Sequence, residues 1–584
     1  MAVQTRPATQ PAPPKVELIK VASDGLLGPL PAELAAPTES ISEDAAQLIK
    51  FHGVYQQDDR DQRAERRREG RGRAHMFMVR TKFPGGRLSA EQYLLADTLA
   101  DEHGNGTLRV TTRQDFQFHG VVGKSNLKRL IGTLNGRWVT TYGGCGDIAR
   151  NMLTCPVADL LPGDGFDFQA LAKQASDRFL AESTAYYELW CDGEKVMVDG
   201  ARVTLQPKRD ESFYGSTYMP RKHKMGIGLP WDNCIDLFTH DLALEAIADA
   251  EGGLFGFNLV AGGGLGSTHG MKTTYPRLGS RIGFLGPEEG VAALEAGTAI
   301  YRDYGDRSNR KHARLKYVLE ERGVPWFRAE VERYLGRPLA DPVEAPEYGV
   351  DDHLGWRRQA DGRWMVGVWV ENGRIKDTPA RRWKSGLREI VARFEPELRL
   401  TPHQNVVLVN IADTSRVAVA ALLARYGLDA GDGTLSSLRR YAMACPALPT
   451  CGLALAESER FLPDVIAELE RRGYGQERVW IRMSGCPNSC SRPPTAEIGI
   501  IGRSLRLYTL YVGGSFEGLR LAQLFKDNVP TDALADELAA LLDVWRADRH
   551  QGEGFGDFCH RVGPDALRER AGRGLAAVLA GPHA

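Results

Sequence analysis

Four cysteines stand in two pairs, Cys445 and Cys451 in Cys445-Pro-Ala-Leu-Pro-Thr-Cys451, then Cys486 and Cys490 in Cys486-Pro-Asn-Ser-Cys490. Four thiolates that converge in space can hold a cubane iron–sulfur cluster, one sulfur to each iron. Structural zinc uses the same residue type, but its pairs are usually spaced about two to four apart, and five residues separate Cys445 from Cys451. Disulfides belong to oxidising compartments. Four unconnected buried thiols are the remaining reading.

The chain that must position these thiols has 584 residues, enough for three or four domains. Hydrophobic content of 42% and charged content of 26% are those of a globular protein. A net charge of −1 argues against a nucleic-acid binder that works by bulk electrostatics. The longest uncharged stretch, Gly252 to Met271, is glycine-rich and reads as strand and loop, so no membrane span is expected. Residues 1–40 are rich in Pro and Ala and lack the apolar core of a signal peptide. They read as a disordered arm, and the thiols as reduced ones in the cytoplasm. Segment 58–75, with seven arginines and five acids, reads as a solvated helix face followed by a loop.

Comparing the chain with itself reveals a repeat. Leu108-Arg-Val-Thr-Thr-Arg-Gln-Asp-Phe-Gln-Phe-His-Gly-Val121 aligns without gaps to Leu398-Arg-Leu-Thr-Pro-His-Gln-Asn-Val-Val-Leu-Val-Asn-Ile411. Each copy follows a strand-like run and a Gly-Arg pair, Gly86-Arg87 and Gly373-Arg374. Strand, helix, strand in both halves predicts an internal duplication. Strand alternation puts Arg109, Thr111, Arg113, Gln117 and His119 on one face and Val110, Phe116 and Phe118 on the other. Two arginines, an amide and an imidazole on one face suit a polyanion. In the second copy the counterparts of Arg113, Gln117 and His119 are His403, Val407 and Val409, so that face has lost its polarity. Weaker echoes join Cys155-Pro156 to Cys445-Pro446, and Asn258-Leu-Val-Ala-Gly-Gly-Gly264 to Thr509-Leu-Tyr-Val-Gly-Gly514.

Further cations stand in suggestive places. Arg80 ends an apolar run, Arg150 follows the glycine-rich Gly143-Gly-Cys-Gly-Asp147, and Lys222 and Lys224 point the same way if Tyr218 to Lys224 is extended. Taken singly, each reads as a surface cation. Together they would form an anion pocket that offsets negative charge and donates protons.

With these residues in view, the chain resembles the siroheme-containing nitrite/sulfite reductase family, assimilatory branch, from about Ile49 to about Val562. The motifs that carry the resemblance are the four cysteines, Thr112-Arg-Gln-x-Phe-Gln-Phe-His-Gly120, Tyr218-x-Pro-Arg-Lys-x-Lys224, Phe51-His-Gly-Val-Tyr-Gln-Gln-Asp-Asp-Arg60 and Gly552-Glu-Gly-Phe-Gly-Asp-Phe558. It implies two cofactors, a siroheme and a 4Fe–4S cluster. Cys445, Cys451, Cys486 and Cys490 would ligate the cluster, with Cys490 shared with the siroheme iron. It also implies a siroheme cradle of Arg109, Thr111, Arg113, Gln117, His119, Lys311 and Asn488. Arg80, Arg150, Lys222 and Lys224 would hold the substrate anion. The implied activity is the six-electron reduction of sulfite to sulfide in sulfur assimilation, with nitrite reduction to ammonia as the near alternative. The implied donor is an NADPH-dependent flavoprotein subunit or ferredoxin. Gly143 to Asp147 and Met76 to Lys82 look like ferredoxin-linked members, whereas Gln56 to Arg60 looks like flavoprotein-linked ones. Tyr55 and Cys145 match positions at which some relatives form a thioether.

The expected fold is α+β. A central domain of two ferredoxin-like repeats (76–141 and 347–430) is flanked by two related α/β domains (142–346 and 431–584), with 41–75 wrapping the surface. A non-catalytic iron–sulfur carrier would need no polyanion cradle, and a zinc-stabilised scaffold would hold no acid-labile sulfide.

Overall fold

The computed structural model describes residues 13–161, 166–198, 201–345, 347–428, 430 and 433–580. Two five-stranded sheets form the centre. One runs Val54–Asp58, His75–Arg80, Phe116–Val121, Leu108–Val110, Arg374–Ile375; the other runs Gly355–Arg358, Trp364–Val368, Val406–Ile411, Glu397–Leu400, Arg87–Leu88. Each repeat therefore lends a two-residue strand to the other's sheet, Arg374 pairing with Arg109 and Arg87 with Arg399. The helices between the strands, Ala90–His103 and Trp383–Phe394, pack on each other. The first starts at a Ser89/Gln92 capping box. The second buries Trp383, Leu387, Ile390 and Val391, the spacing of one helical face.

The repeated segment is a hairpin in each copy rather than the single strand that alternation suggested. Leu108–Val110 turns at 111–115 into Phe116–Val121, and Glu397–Leu400 turns at 401–405 into Val406–Ile411. The turns match bond for bond. Thr111 N–H donates to Asp115 O at 2.9 Å and Thr401 N–H to Asn405 O at 2.9 Å. Gln114 and Gln404 both take positive φ, 54° and 68°. Because the strands are antiparallel, Arg109 sits opposite Gln117 and Arg399 opposite Val407. The shared face survives the turn by register rather than by continuity.

Two flanking sheets are related in the same way. The first has the order Ser280–Leu285, Leu254–Ala261, Leu242–Ala248, Met225–Gly228; the second has Ala442–Ala444, Ile481–Ser484, Ile498–Ser504, Leu507–Val512, Gln523–Pro530. In the first, Leu153 bridges Gly226 in parallel; in the second, Met443 pairs with Arg482 in parallel. From those anchors the two chains stay in step through a turn, the one-turn helices Leu237–Thr239 and Pro493–Thr495, and the strands Leu242–Ala248 and Ile498–Ser504.

The arm departs from expectation. Residues 1–12 lie outside the described residues, but Lys15–Val21 and Leu30–Ala35 are helices. Leu26 and Leu30 are fully buried in the main core, and Glu17 binds Arg307 at 2.8 Å. Pro and Ala dominate the composition, yet buried leucines and ion pairs from Glu17, Lys20 and Asp24 dock the segment.

Candidate anion and cluster site

The four cysteines lie on two loops that follow adjacent parallel strands. Cys445 comes directly after Ala442–Ala444 and Cys486 shortly after Ile481–Ser484. Gly485 N–H donates to Cys445 Sγ at 3.3 Å, and Asn488 Nδ2 to Cys486 Sγ at 3.5 Å. Such N–H···S bonds suit thiolate ligands of a cluster. Burial pushes the Cys445 thiol up to about 12 and the Cys451 and Cys486 thiols to about 11. Metal ligation would therefore have to displace those protons. Cys445 and Cys486 are buried, Cys451 is partly covered and Cys490 is exposed. A single zinc with bonds of about 2.3 Å would draw its ligand atoms tightly together. Among the described residues these cysteines form no group whose ligand atoms all lie within 4.8 Å. Arg60 braces the Cys451 loop, its Nη1 reaching Cys451 O at 3.2 Å and Ala454 O at 2.5 Å.

Cys490 opens into a cavity lined by Thr112, Arg113, Lys222, Lys224, Arg314, Asn488 and Arg492 among others. Arg314 pairs with Asp241 at 2.7 Å, and Arg492 lies 3.2 Å from Asp236. Arg113, Lys222 and Lys224 form no ion pair among the described residues. His223 bridges Ala149, which makes 222–224 extended and turns both lysines to the cavity as expected. Lys222 is half-buried, and the atoms packed round its ammonium, with Arg314 and Arg221, push it down to about 7. Lys224 is held well below the usual lysine range by burial and by Lys222. Arg113 is lowered to about 9 by burial and by Arg150 and Arg80, with Asp115 opposing.

The structure distributes the remaining sequence candidates unevenly. Arg80 lies opposite Gln117, whose amide oxygen faces Arg80 Nε at 3.3 Å while its nitrogen faces His119 Nε2 at 3.3 Å. Burial and the charges of Arg374 and Arg109 hold His119 well below the usual histidine range, so its ring is neutral. Arg150 is buried against its own loop, donating to Gly144 O at 3.0 Å and Gly146 O at 2.7 Å. The glycine-rich loop is thus fastened rather than loose. Thr111 Oγ1 donates to Asp115 at 2.6 Å. Arg109 does not stand free: it pairs with Glu459 at 3.0 Å and donates to Ala444 O at 2.8 Å, just before Cys445. Lys311 is exposed on an Asn309 turn and does not line the cavity, whereas Arg314, three residues on, does. Arg314, Arg492 and Glu459 escaped sequence reasoning. Their roles come from contacts with residues 73, 256 and 350 positions away, and no periodic signal marks them. Cys145 is buried, and the Tyr55 phenol is raised first by its own burial and then by Cys145, so the two are neighbours.

The donor set fits a polycarboxylate. Arg113 Nε, His119 Nδ1 and Arg314 Nη2 are buried without hydrogen-bond partners among the described residues, and buried donors normally have them. Unpaired cations, orphaned donors and a thiol opening beside them define an oxidoreductase that acts on a small oxyanion at an anionic cofactor.

The chain belongs to the nitrite and sulphite reductase family. It matches the nitrite and sulphite reductase 4Fe-4S domain over residues 145–339, and the nitrite/sulfite reductase ferredoxin-like half domain over 68–133 and 357–426. It is 43% identical over 565 residues to the sulfite reductase [NADPH] hemoprotein beta-component of Myxococcus xanthus, covering 95% of this chain and 97% of that one. It is 41% identical over 570 residues to the sulfite reductase [ferredoxin] of Synechococcus elongatus, covering 95% and 90%. Among solved structures it is similar to the Mycobacterium tuberculosis NirA protein, with a TM-score of 0.73 and 25% identity over 91% of this chain and 92% of that one. No helix among the described residues is long and apolar enough to cross a membrane.

Proposed function

We propose that this chain reduces sulfite to sulfide in assimilatory sulfur metabolism, using a siroheme coupled to a 4Fe–4S cluster, in the cytoplasm where its thiols stay reduced. The observation that carries the reading is Cys490, an exposed thiol of the four-cysteine set that opens into the cavity lined by Lys222 and Lys224. Cys445, Cys451, Cys486 and Cys490 would hold the cluster. Arg113, Gln117, His119, Thr111 and Asn488 would hold the siroheme, with Arg109 fixing their strand to the cluster loop through Glu459. Lys311 would reach a siroheme carboxylate only from the surface. Bound together, the two groups supply electrons one at a time at an iron open to sulfur.

The chain's own part is electrostatic. Lys222 and Lys224, which line the cavity, would meet the oxygens of the anion, with Arg80 and Arg150 adding positive charge from behind the lining. Each oxygen must leave as water, which calls for protons. An ammonium held near neutrality, as at Lys222, gives up its proton more readily than an ordinary lysine. Lys224, lowered further by Lys222, is the natural recipient when negative charge enters the cavity.

The donor is an NADPH-dependent flavoprotein or a ferredoxin, since sulfite reductases of both kinds resemble this chain about equally. The deciding experiment supplies electrons from reduced methyl viologen and compares sulfite with nitrite at matched concentration, on protein with assayed heme, iron and sulfide. Sulfide formation at the higher kcat/KM supports the reading; faster ammonia formation makes the chain a nitrite reductase.

A further inference from the structure

The half of the scaffold without the four-cysteine set keeps metal-binding residue types in the matching places. Cys155 lies two residues past Leu153, the bridge partner of Gly226, as Cys445 lies two past Met443, the partner of Arg482. Cys234 lies eight residues past Gly226, as Cys490 lies eight past Arg482, and Asp232 stands where Asn488 does. His353 arrives from the segment that leads into the second repeat. The ligand atoms of Cys155, Asp232, Cys234 and His353 all lie within 4.8 Å of one another, and all four residues are buried.

We propose that these four residues bind a single structural zinc ion. Two thiolates, an imidazole and a carboxylate make a tetrahedral donor set that zinc accepts, and a fully occupied set leaves no open position for chemistry. The group is too tight for a cubane, whose thiolates sit on separate irons. An independent sign is His353, 3% exposed, whose buried ring packs against Cys155 and lies between two carboxylates. Its Nε2 lies 3.3 Å from Asp232 Oδ2, inside the group, and its Nδ1 faces Asp351 Oδ2 at 3.8 Å on the other side. A carboxylate behind a ligating histidine is the usual orienting arrangement. Asp232 Oδ1 is taken by Asp351 N–H at 3.0 Å, which leaves Oδ2 for the ion. His353 also holds a φ of 59°, a conformation a non-glycine residue keeps only under tertiary constraint.

The ion would clip three separate segments at the junction of domains. The 229–236 turn is already stitched to the incoming segment, Asn233 N–H to Gly349 O at 2.7 Å and Gly349 N–H to Pro230 O at 2.8 Å. Arg492, a cavity residue, donates to Cys234 O at 3.3 Å. The clip therefore stands directly behind one wall of the anion cavity. The duplicated scaffold would hold a cluster in one half and a mononuclear ion at the equivalent place in the other.

Metal analysis of the holoenzyme, purified without added zinc, tests this. The expected result is stoichiometric zinc beside the iron. Zinc K-edge absorption is expected to fit two sulfurs at about 2.3 Å and two nitrogen or oxygen neighbours. Cys234→Ala and His353→Gln should each lose the zinc while heme absorbance and acid-labile sulfide stay. The wild-type absorption edge decides even if a variant fails to fold. Absence of zinc from the wild type, zinc ligated by four sulfurs, zinc undiminished in both variants, or a two-hydrogen mass deficit mapping to a Cys155–Cys234 disulfide would each overturn the proposal.

Discussion

Asp236 and Arg492 occupy equivalent positions in the two halves, both with left-handed backbone (φ 51° and 61°), and they meet across the junction with Arg492 Nε 3.2 Å from Asp236 Oδ2. Each precedes a one-turn helix, Leu237–Thr239 or Pro493–Thr495. Duplication alone would have placed like residues face to face. Here the two copies have diverged to opposite charge, and Arg482 joins the same carboxylate. Asp236 is 1% exposed, and among the described residues these two guanidiniums form its ion pairs, with Thr495 Oγ1 also donating at 3.4 Å. Asp236→Asn should therefore cost roughly 3 kcal/mol, the scale for breaking a buried pair from one side. Urea denaturation checks this, and Asp236→Asn combined with Arg482→Met should recover part of the loss.

Lys222→Met should lower turnover on the order of a hundredfold, the range for loss of a positioned proton donor. Siroheme absorbance per chain should be nearly unchanged. The same substitution at Arg113 should act in the opposite way, lowering heme content more than turnover per heme, because the orphaned Arg113 Nε faces the cofactor region. Sulfide production normalised to heme separates the two behaviours.

Much of this was legible in the sequence, for identifiable reasons. The repeat was visible because both hairpins need the same residues at their turns, Thr111 and Gln114 in one and Thr401 and Gln404 in the other. The loss of polarity at Val407 and Val409 was visible because strand faces alternate. The exchange of Arg87–Leu88 and Arg374–Ile375 was not, since two residues carry no period. Nor was the pairing of Arg109 and Arg374 with Glu459, because a carboxylate hundreds of residues away leaves no local mark. The four cysteines announced themselves through one CxxxxxC and one CxxxC pair, and Cys155 only as an echo of Cys445; that Cys155, Cys234 and His353 meet was not legible, because their spacing is dictated by the fold.

Proton linkage gives a test of the apoprotein. Lys222 sits at about 7, so at pH 8 it is mostly neutral. A polycarboxylate entering the cavity raises its pKa, and the protein should take up protons. At pH 6 Lys222 is already charged and its share of the uptake should fade, leaving the share of Lys224, which is held lower. Uroporphyrin, which carries no iron, is the probe, and calorimetry in buffers of different ionisation enthalpy counts the protons. Proton release at pH 8 would contradict the assignment.

Arg60 and Glu459 brace the cluster loops from outside, Arg60 through Cys451 O and Glu459 through its N–H on Cys445 O at 3.0 Å. Arg60→Leu and Glu459→Gln should both lower iron and acid-labile sulfide per chain. Glu459→Gln should act more strongly, since it leaves Arg109 and Arg374 buried without their shared carboxylate.

The most direct measurement is Mössbauer spectroscopy of Cys490→Ser beside the parent, both purified anaerobically. The parent should show heme iron and cluster iron magnetically coupled, and the variant should lose that coupling together with sulfite reduction. A variant that keeps both groups coupled and still makes sulfide at the parental rate would contradict the central role given to Cys490.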